Sequence, residues 1–188
     1  MKYAQIRKSD ISNGEGIGVS LWTQGCPYHC AGCHNQDQWD RNGGKELTDQ
    51  DIENMFIYIN KPYISRFSIL GGEPLLPENI ATLLKIILRI KEERPDIKIW
   101  VWTGTTLKDL LLLCRFEDCE DKIFENQKWD GQSIKELVEL LNNIDYLIDG
   151  RFIQEQKDLS LKYRGSKNQK IYDMRQSIQR KTIVYASF

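Results

Sequence analysis

Val19-Ser20-Leu21-Trp22-Thr23 runs directly into Gln24-Gly25-Cys26-Pro27-Tyr28-His29-Cys30-Ala31-Gly32-Cys33-His34-Asn35. The first five residues are rich in β-formers and predict a short strand that delivers the chain into a cysteine loop. The CxxxCxxC spacing bunches Cys26, Cys30 and Cys33 within eight positions. Three such thiolates can hold three irons of a [4Fe–4S] cubane, and the motif supplies no fourth ligand. An iron left open is a place for chemistry, much as a catalytic zinc keeps one position free for substrate. Gly25, Gly32 and Pro27 favour the irregular backbone that a chain wrapped around a cluster requires.

Three other readings compete. Both histidines, His29 and His34, lie in this segment, and Cys3His is an ordinary zinc set that would make the chain a zinc-stabilised binding module. Zinc ligands usually come as two separated pairs, however, and no suitable second pair follows downstream. A disulfide-stapled loop fits poorly with an odd total of five cysteines and no hydrophobic signal segment, which together suggest a reducing cytoplasm. A closed electron-transfer cluster would need Cys114 or Cys119 as its fourth ligand. The open cluster is the reading carried forward.

Working outward, 188 residues suit a single domain with a substantial core, here expected to span 1–188. No apolar run approaches the roughly 20 residues of a membrane span. The formal net charge of −1 gives no overall field for nucleic acid or an acidic membrane. The charge is uneven: residues 151–188 carry nine Lys/Arg against three Asp/Glu, and 115–130 carry six Asp/Glu against three Lys/Arg. A solvated face is the ordinary explanation for both, although the basic segment from about 151 also offers a docking surface.

Thr48 and Asp51 form a capping-box-like start to a helix reaching about Asn60. Arg66–Leu70 reads as a strand that ends at Gly71-Gly72-Glu73-Pro74. Ile80, Leu83, Leu84, Ile87, Leu88 and Ile90 set a helix over Asn79–Arg94, stopped by Pro95. Ile97–Trp102 is a strand ending at Thr103-Gly104. Thr106 and Asp109 open a helix through about Cys114. An acidic, irregular stretch follows, broken by Gly131. Ser133 and Glu136 cap a helix to Leu141, and Asp145–Ile148 is a strand ending at Asp149-Gly150. Beyond 150 the pattern weakens into a polar loop and a basic tail. Strands alternating with helices predict βαβ units and a parallel sheet. Every motif then falls just beyond the carboxyl end of a strand, where such sheets keep their chemistry.

The Gly71-Gly72 pair lets backbone approach a ligand closely and leaves carbonyls to accept from an ammonium group, with Glu73 adding charge and Pro74 stiffening the exit. A plain strand-to-helix turn would look the same. Joined to an open CxxxCxxC one strand earlier, the motif carries more weight. The chain at this point resembles the radical S-adenosylmethionine enzymes and, within them, the activating proteins of anaerobic ribonucleoside-triphosphate reductase. The likeness also takes in Asn13-Gly14-Glu15-Gly16, Trp39, Val101-Trp102-Thr103-Gly104, Ile148-Asp149-Gly150-Arg151-Phe152 and Arg164-Gly165-Ser166-Lys167-Asn168-Gln169.

That resemblance implies a partial, open parallel β/α barrel with its cluster at the carboxyl-end rim. It implies a [4Fe–4S] cluster on Cys26, Cys30 and Cys33, whose open iron binds S-adenosylmethionine. One electron then cleaves the cofactor to methionine and a 5′-deoxyadenosyl radical, which takes a hydrogen from a glycine of the reductase large chain. A low-potential donor such as flavodoxin or ferredoxin would supply the electron. By the family pattern Gly71, Gly72, Glu73 and Pro74 meet the methionine amino group, and the backbone of Gly32, Cys33 and His34 lies beside the adenosyl part. The alternative within the superfamily is an enzyme acting on a small molecule, such as a deazapurine synthase.

The chain departs from the pattern in places. Gly32 stands where many superfamily members have an aromatic residue, and Gly18 where related activases often have arginine. With Cys114 and Cys119 alone to spare, no ferredoxin-like insert can be built. Cys114 falls on the apolar stripe of Leu107, Leu110 and Leu111 and reads as a small core residue. Cys119 sits among acids that disfavour its thiolate. Trp100 and Trp102 read as core. Asp149 is equally a site residue or a turn former, and Arg164 and Asn168 either contact a partner or brace a loop.

Overall fold

In a computed structural model, which describes residues 1–115, 122–124 and 127–188, the chain begins with β1 (Lys2–Asp10) and β2 (Gly18–Thr23). Next come β3 (Lys45–Glu46), α1 (Asp49–Ile59), β4 (Arg66–Gly71), α2 (Pro77–Glu93), β5 (Lys98–Trp102) and α3 (Leu107–Cys114). A hairpin of β6 (Lys122–Phe124) and β7 (Gln127–Trp129) leads to α4 (Gly131–Asn143), β8 (Tyr146–Asp149), β9 (Lys170–Asp173) and α5 (Met174–Arg180).

Local chemistry explains the boundaries. At the start of α1 the Thr48 hydroxyl accepts from the Asp51 N–H at 3.2 Å, and the Asp51 carboxylate accepts from the Thr48 N–H at 3.0 Å. That is the expected capping box, which answers two of the helix's orphan donors. α2 starts two residues before the expected Asn79, because Pro77 lacks only an N–H that the first turn leaves unpaired anyway. The cap of α4 is Asp130, whose Oδ1 accepts from the Ser133 N–H at 2.7 Å. Ser133 is therefore inside the helix, and Gly131 is its first residue rather than a break. The acidic stretch before it contains the β6–β7 hairpin among its described residues. Cys119 lies outside the described residues.

The main sheet has seven strands in the order β3-β1-β2-β4-β5-β8-β9. Four adjacent strands, β2, β4, β5 and β8, are parallel, as the βαβ pattern predicts. The sheet is nevertheless mixed, since β1, β3 and β9 pair antiparallel at the two edges, and it does not close. β9 and α5 lie where the sequence pattern after residue 150 suggests only a polar loop and a basic tail.

Alternation along the inner strands makes two cores. Leu21, Phe67, Ile69, Ile99, Val101 and Leu147 face the helices and pack with the stripe of α2 and the inner faces of α1, α3 and α4. Each such side chain contributes roughly 1.5–3 kcal/mol by leaving water. The opposite face holds Trp100 and Ile148, joined by Ile171, Tyr146, Tyr163 and Phe188. Cys114 packs against the helical core, half-buried, as its place on the stripe suggests.

A buried ion pair closes the bottom of that second face. Arg66 Nη2 lies 3.1 Å from Asp10 Oδ1, both without solvent contact to speak of. Two buried charges are tolerated only when their remaining bonds are made. Asp10 also accepts from the N–H groups of Ser12 and Asn13, from Asn13 Nδ2 and from Ser20 Oγ. Burial alone would raise its pKa, but these donors hold it well below the usual carboxylate range. Gly18 pairs in register with Arg66, and a Cβ there would overlap the arginine side chain. The missing side chain at position 18 is thus filled by a guanidinium from the neighbouring strand.

Candidate functional site

The carboxyl ends of β2, β4, β5 and β8 surround a cavity of about 650 Å³. Cys26, Cys30 and Cys33 line it, with Gly71, Gly72 and Glu73, Thr103 and Gly104, and the segment from Gly150 to Phe152. Four motifs separated by up to 126 positions in the chain (26 to 152) therefore meet in one place. A second space of about 620 Å³ between β1 and α1 is lined by polar side chains such as Lys8, Lys45 and Asp51, with no cysteine among them.

The cysteine loop is held by backbone bonds from its neighbours. Gly25, at φ +93°, donates its N–H to Gln38 at 2.9 Å, and Cys26 donates to Trp39 at 3.1 Å. A turn from Cys33 N–H to Cys30 C=O, 3.0 Å, folds the last two thiols together. The Gly71–Glu73 loop is tied to it directly. Gly72 N–H donates to Thr23 C=O at 2.9 Å, Glu73 N–H to Gly25 C=O at 2.7 Å, and Asn35 Nδ2 to Gly71 C=O at 3.2 Å. Gly72 has to be glycine for steric reasons, because a Cβ would strike the Gly25 carbonyl.

Each sulfur meets main-chain donors. Asn35 N–H reaches Cys33 Sγ at 3.3 Å, the N–H groups of Tyr28 and His29 face Cys26, and that of Phe152 faces Cys30. Burial first, then the nearby charges of Glu73 and Cys30, push the Cys26 thiol up to about 12; burial and Cys33 likewise raise Cys30. Iron reverses that balance, since a coordinating thiol is deprotonated outright by the metal's charge. Three thiols beside one cavity, with N–H groups ready to stabilise sulfur charge, fit a cubane held at three corners. Of the histidines of the zinc alternative, His29 stacks on Trp39 at 4.7 Å, and His34 meets Phe152 edge-on at 6.1 Å. Among the described residues, no three Cys, His, Asp or Glu side chains gather closely enough for a single metal ion.

Glu73 differs from its expected part. It is 1% exposed, and its carboxylate accepts from Leu75 N–H, Thr103 Oγ1 and Gly104 N–H. Burial raises it to about 7 against the pull of those three donors. Its charge is spent on joining strand ends, while Pro74 is buried behind the loop. Asp149 is likewise a brace, accepting from Leu107 N–H at 2.7 Å, Lys170 N–H at 3.3 Å and the Tyr172 hydroxyl at 3.2 Å. Asn168 braces too, donating to Arg151 C=O at 2.8 Å. Trp100 is core, but half-buried Trp102 lines the cavity and donates to Tyr163 C=O at 2.8 Å.

A second layer includes residues that the sequence motifs contain but to which sequence reasoning gave no role of their own. Tyr28 hydrogen-bonds Thr105, and the Arg151 guanidinium lies over its ring, 4.4 Å from the centroid. A Cβ on Gly104 would run into that same ring. Phe152 packs beside Gly165, and the Gln154 side chain covers the space that a side chain on Gly32 would need. Arg151 and Phe152 were findable, since they directly follow the strand-end Asp149-Gly150.

A family model described as a 4Fe-4S single cluster domain matches residues 12–172. A Haemophilus influenzae protein named anaerobic ribonucleoside-triphosphate reductase-activating protein is 37% identical over 174 residues, 92% of this chain and 97% of its own. One of the same name from Escherichia coli is 34% identical over 177 residues, 93% of this chain and 100% of its own. Another, from phage T4, is 31% identical over 174 residues, covering 92% and 94%.

Proposed function

The chain belongs to the family of anaerobic ribonucleoside-triphosphate reductase-activating proteins, and from that premise we propose that it installs a glycyl radical on the large chain of such a reductase. The observation that carries this reading is the meeting of Cys26, Cys30 and Cys33 with the Gly71–Glu73 loop around one cavity. We read the open sheet as the partial barrel of the radical S-adenosylmethionine type, its four parallel strands aiming their carboxyl ends at that cavity.

A [4Fe–4S] cluster held by the three cysteines would supply the electron that splits S-adenosylmethionine and so the radical that takes hydrogen from glycine. The protein's own work is positioning. Main-chain N–H groups of Tyr28, His29, Asn35 and Phe152 stabilise negative charge on the sulfurs. The Gly71-Gly72 backbone would receive the methionine end, with Glu73 fixing the loop from behind, and Gly32, Cys33 and His34 would border the adenosyl part. Trp22, Trp39, Trp102 and Phe152 give the cavity apolar walls. Ala31, Gly32 and His34 are exposed, and a low-potential donor such as flavodoxin or ferredoxin would deliver its electron there. No described helix is long and apolar enough to cross a membrane.

The test is anaerobic. The cluster-loaded chain, a reductant, S-adenosylmethionine and the reductase should give a protein radical by electron paramagnetic resonance, its doublet collapsing when the target glycine is α-deuterated. Turnover of a small molecule with no radical on the reductase would overturn the proposal.

A further inference from the structure

Gly32 takes φ +73° and leaves a gap in the cysteine loop that later residues fill. The Gln154 side chain occupies the place where a Cβ on Gly32 would go, and Phe152 Cε1 lies 3.4 Å from that same point. Both residues follow the end of β8, a strand away from the cysteine loop in sequence but beside it in space. Phe152 also turns its N–H toward Cys30, so its ring sits next to a cluster ligand.

Several aromatic rings line the cavity, and they differ in what already covers them. Trp39 carries the His29 ring, Tyr28 the Arg151 guanidinium, and Trp102 stacks on Trp100. Phe152 is half-buried, and among the described residues its one ring partner is His34, met edge-on. A ring has two faces, and one edge-on neighbour cannot occupy both. Gly165 packs against Phe152 with no side chain of its own. Gln154 beside it is exposed, and among the described residues its side-chain amide makes no hydrogen bond. The other amides of this region are spent differently, Asn168 and Gln169 donating to the carbonyls of Arg151 and Gly150.

A flat apolar ring next to an amide with both donors and an acceptor is the pairing that reads an adenine. The ring takes the face of the base, and the amide takes its N6 and N7 edge. An aliphatic amino-acid end would use neither. We propose that Phe152 and Gln154 form the adenine subsite of the cavity, Phe152 against the face of the base and Gln154 at its edge. This rests on the function proposed above and adds which side chains select the base of S-adenosylmethionine. It also gives the bare Gly32 a reason, since a side chain there would displace Gln154.

Anaerobic calorimetry on the cluster-loaded chain tests the assignment. The ligands are S-adenosylmethionine, its analogue with hypoxanthine in place of adenine, and the two halves, 5′-deoxyadenosine and methionine. Phe152→Leu keeps an apolar side chain and removes the stacking ring. It should weaken S-adenosylmethionine and 5′-deoxyadenosine about tenfold each, with methionine changed less than about twofold, and Phe152→Tyr should bind like the wild type. Gln154 is exposed, so Gln154→Ala opens no core. The wild-type chain should prefer adenine over hypoxanthine about tenfold, and Gln154→Ala should cut that preference to less than about twofold. Unchanged S-adenosylmethionine affinity in Phe152→Leu overturns the subsite, as does a loss of equal size for methionine. So does a wild-type chain indifferent to the base, or an undiminished preference in Gln154→Ala. If Phe152→Leu fails to hold iron and sulfide, the base preference of Gln154→Ala decides alone. A cluster-loaded wild-type chain that binds no S-adenosylmethionine overturns the functional reading and this inference with it, a result distinct from the others.

Discussion

Glu73 joins the ends of two neighbouring strands by accepting from Gly104, its Oε2 lying 2.7 Å from the Gly104 N–H. Oε1 does the same for Thr103 Oγ1 at 2.8 Å. Both oxygens must therefore accept. In Glu73→Gln an amide NH2 replaces one of them and opposes a donor to a donor inside a closed site. The expected loss is about 1–3 kcal/mol of stability by denaturant unfolding, with weaker S-adenosylmethionine binding because the Gly71–Gly72 backbone shifts. Unaltered stability would mean that the carboxylate is no brace.

Each of Cys26→Ala, Cys30→Ala and Cys33→Ala should prevent assembly of a stable cluster, seen as loss of the brown chromophore and of iron and sulfide after anaerobic reconstitution. Cys114→Ala should retain all three. The same retention is expected of Cys119→Ala from its acidic sequence surroundings.

Gly104→Ala isolates a steric requirement, since Gly104 has no left-handed φ to protect. The added methyl meets the Tyr28 ring, which lies two positions from Cys26. A cost of about 1–3 kcal/mol and a more labile cluster should follow. Combining it with Tyr28→Ala should restore part of the loss, measured as a double-mutant cycle. Strict additivity would show that the two residues do not communicate.

Asp10 sets an acid limb. Its folded pKa is depressed by its hydrogen-bond donors, so the stability it adds is present above the unfolded carboxylate value of about 3.9 and is lost as pH falls through the folded value. Asp10→Asn should destabilise the chain at neutral pH by about 3–5 kcal/mol, by leaving Arg66 buried without its counter-charge. It should also flatten the decline of stability below about pH 4, which thermal melts across pH would reveal.

The sequence disclosed what is periodic or capped. The α1 capping box, the α2 stripe and the Thr106 start of α3 all rest on local bonds, which residue order states directly. β1, β3 and β9 escaped because strands at or next to the sheet edges face partly polar surroundings: Lys2–Asp10 carries Lys2, Arg7 and Lys8 and shows no clean alternation. Their pairing is written in the neighbours and not in themselves. The three cysteines were legible from spacing alone, and the structure places them at one cavity. The inward turn of Glu73 was not legible, because a carboxylate after two glycines reads equally as a ligand and as a strut. Tyr28, Thr105 and Arg151 become visible as a set once β5 and β8 lie side by side.

The donor that faces Cys30 comes from Phe152, far later in the chain. During synthesis the cysteine loop therefore leaves the ribosome long before its last supporting amide exists. Until β8 lies next to β5, Cys30 would lack the Phe152 amide that faces it. Iron and sulfide delivered after the final strands have folded would meet a complete cradle, and delivered earlier an unfinished one.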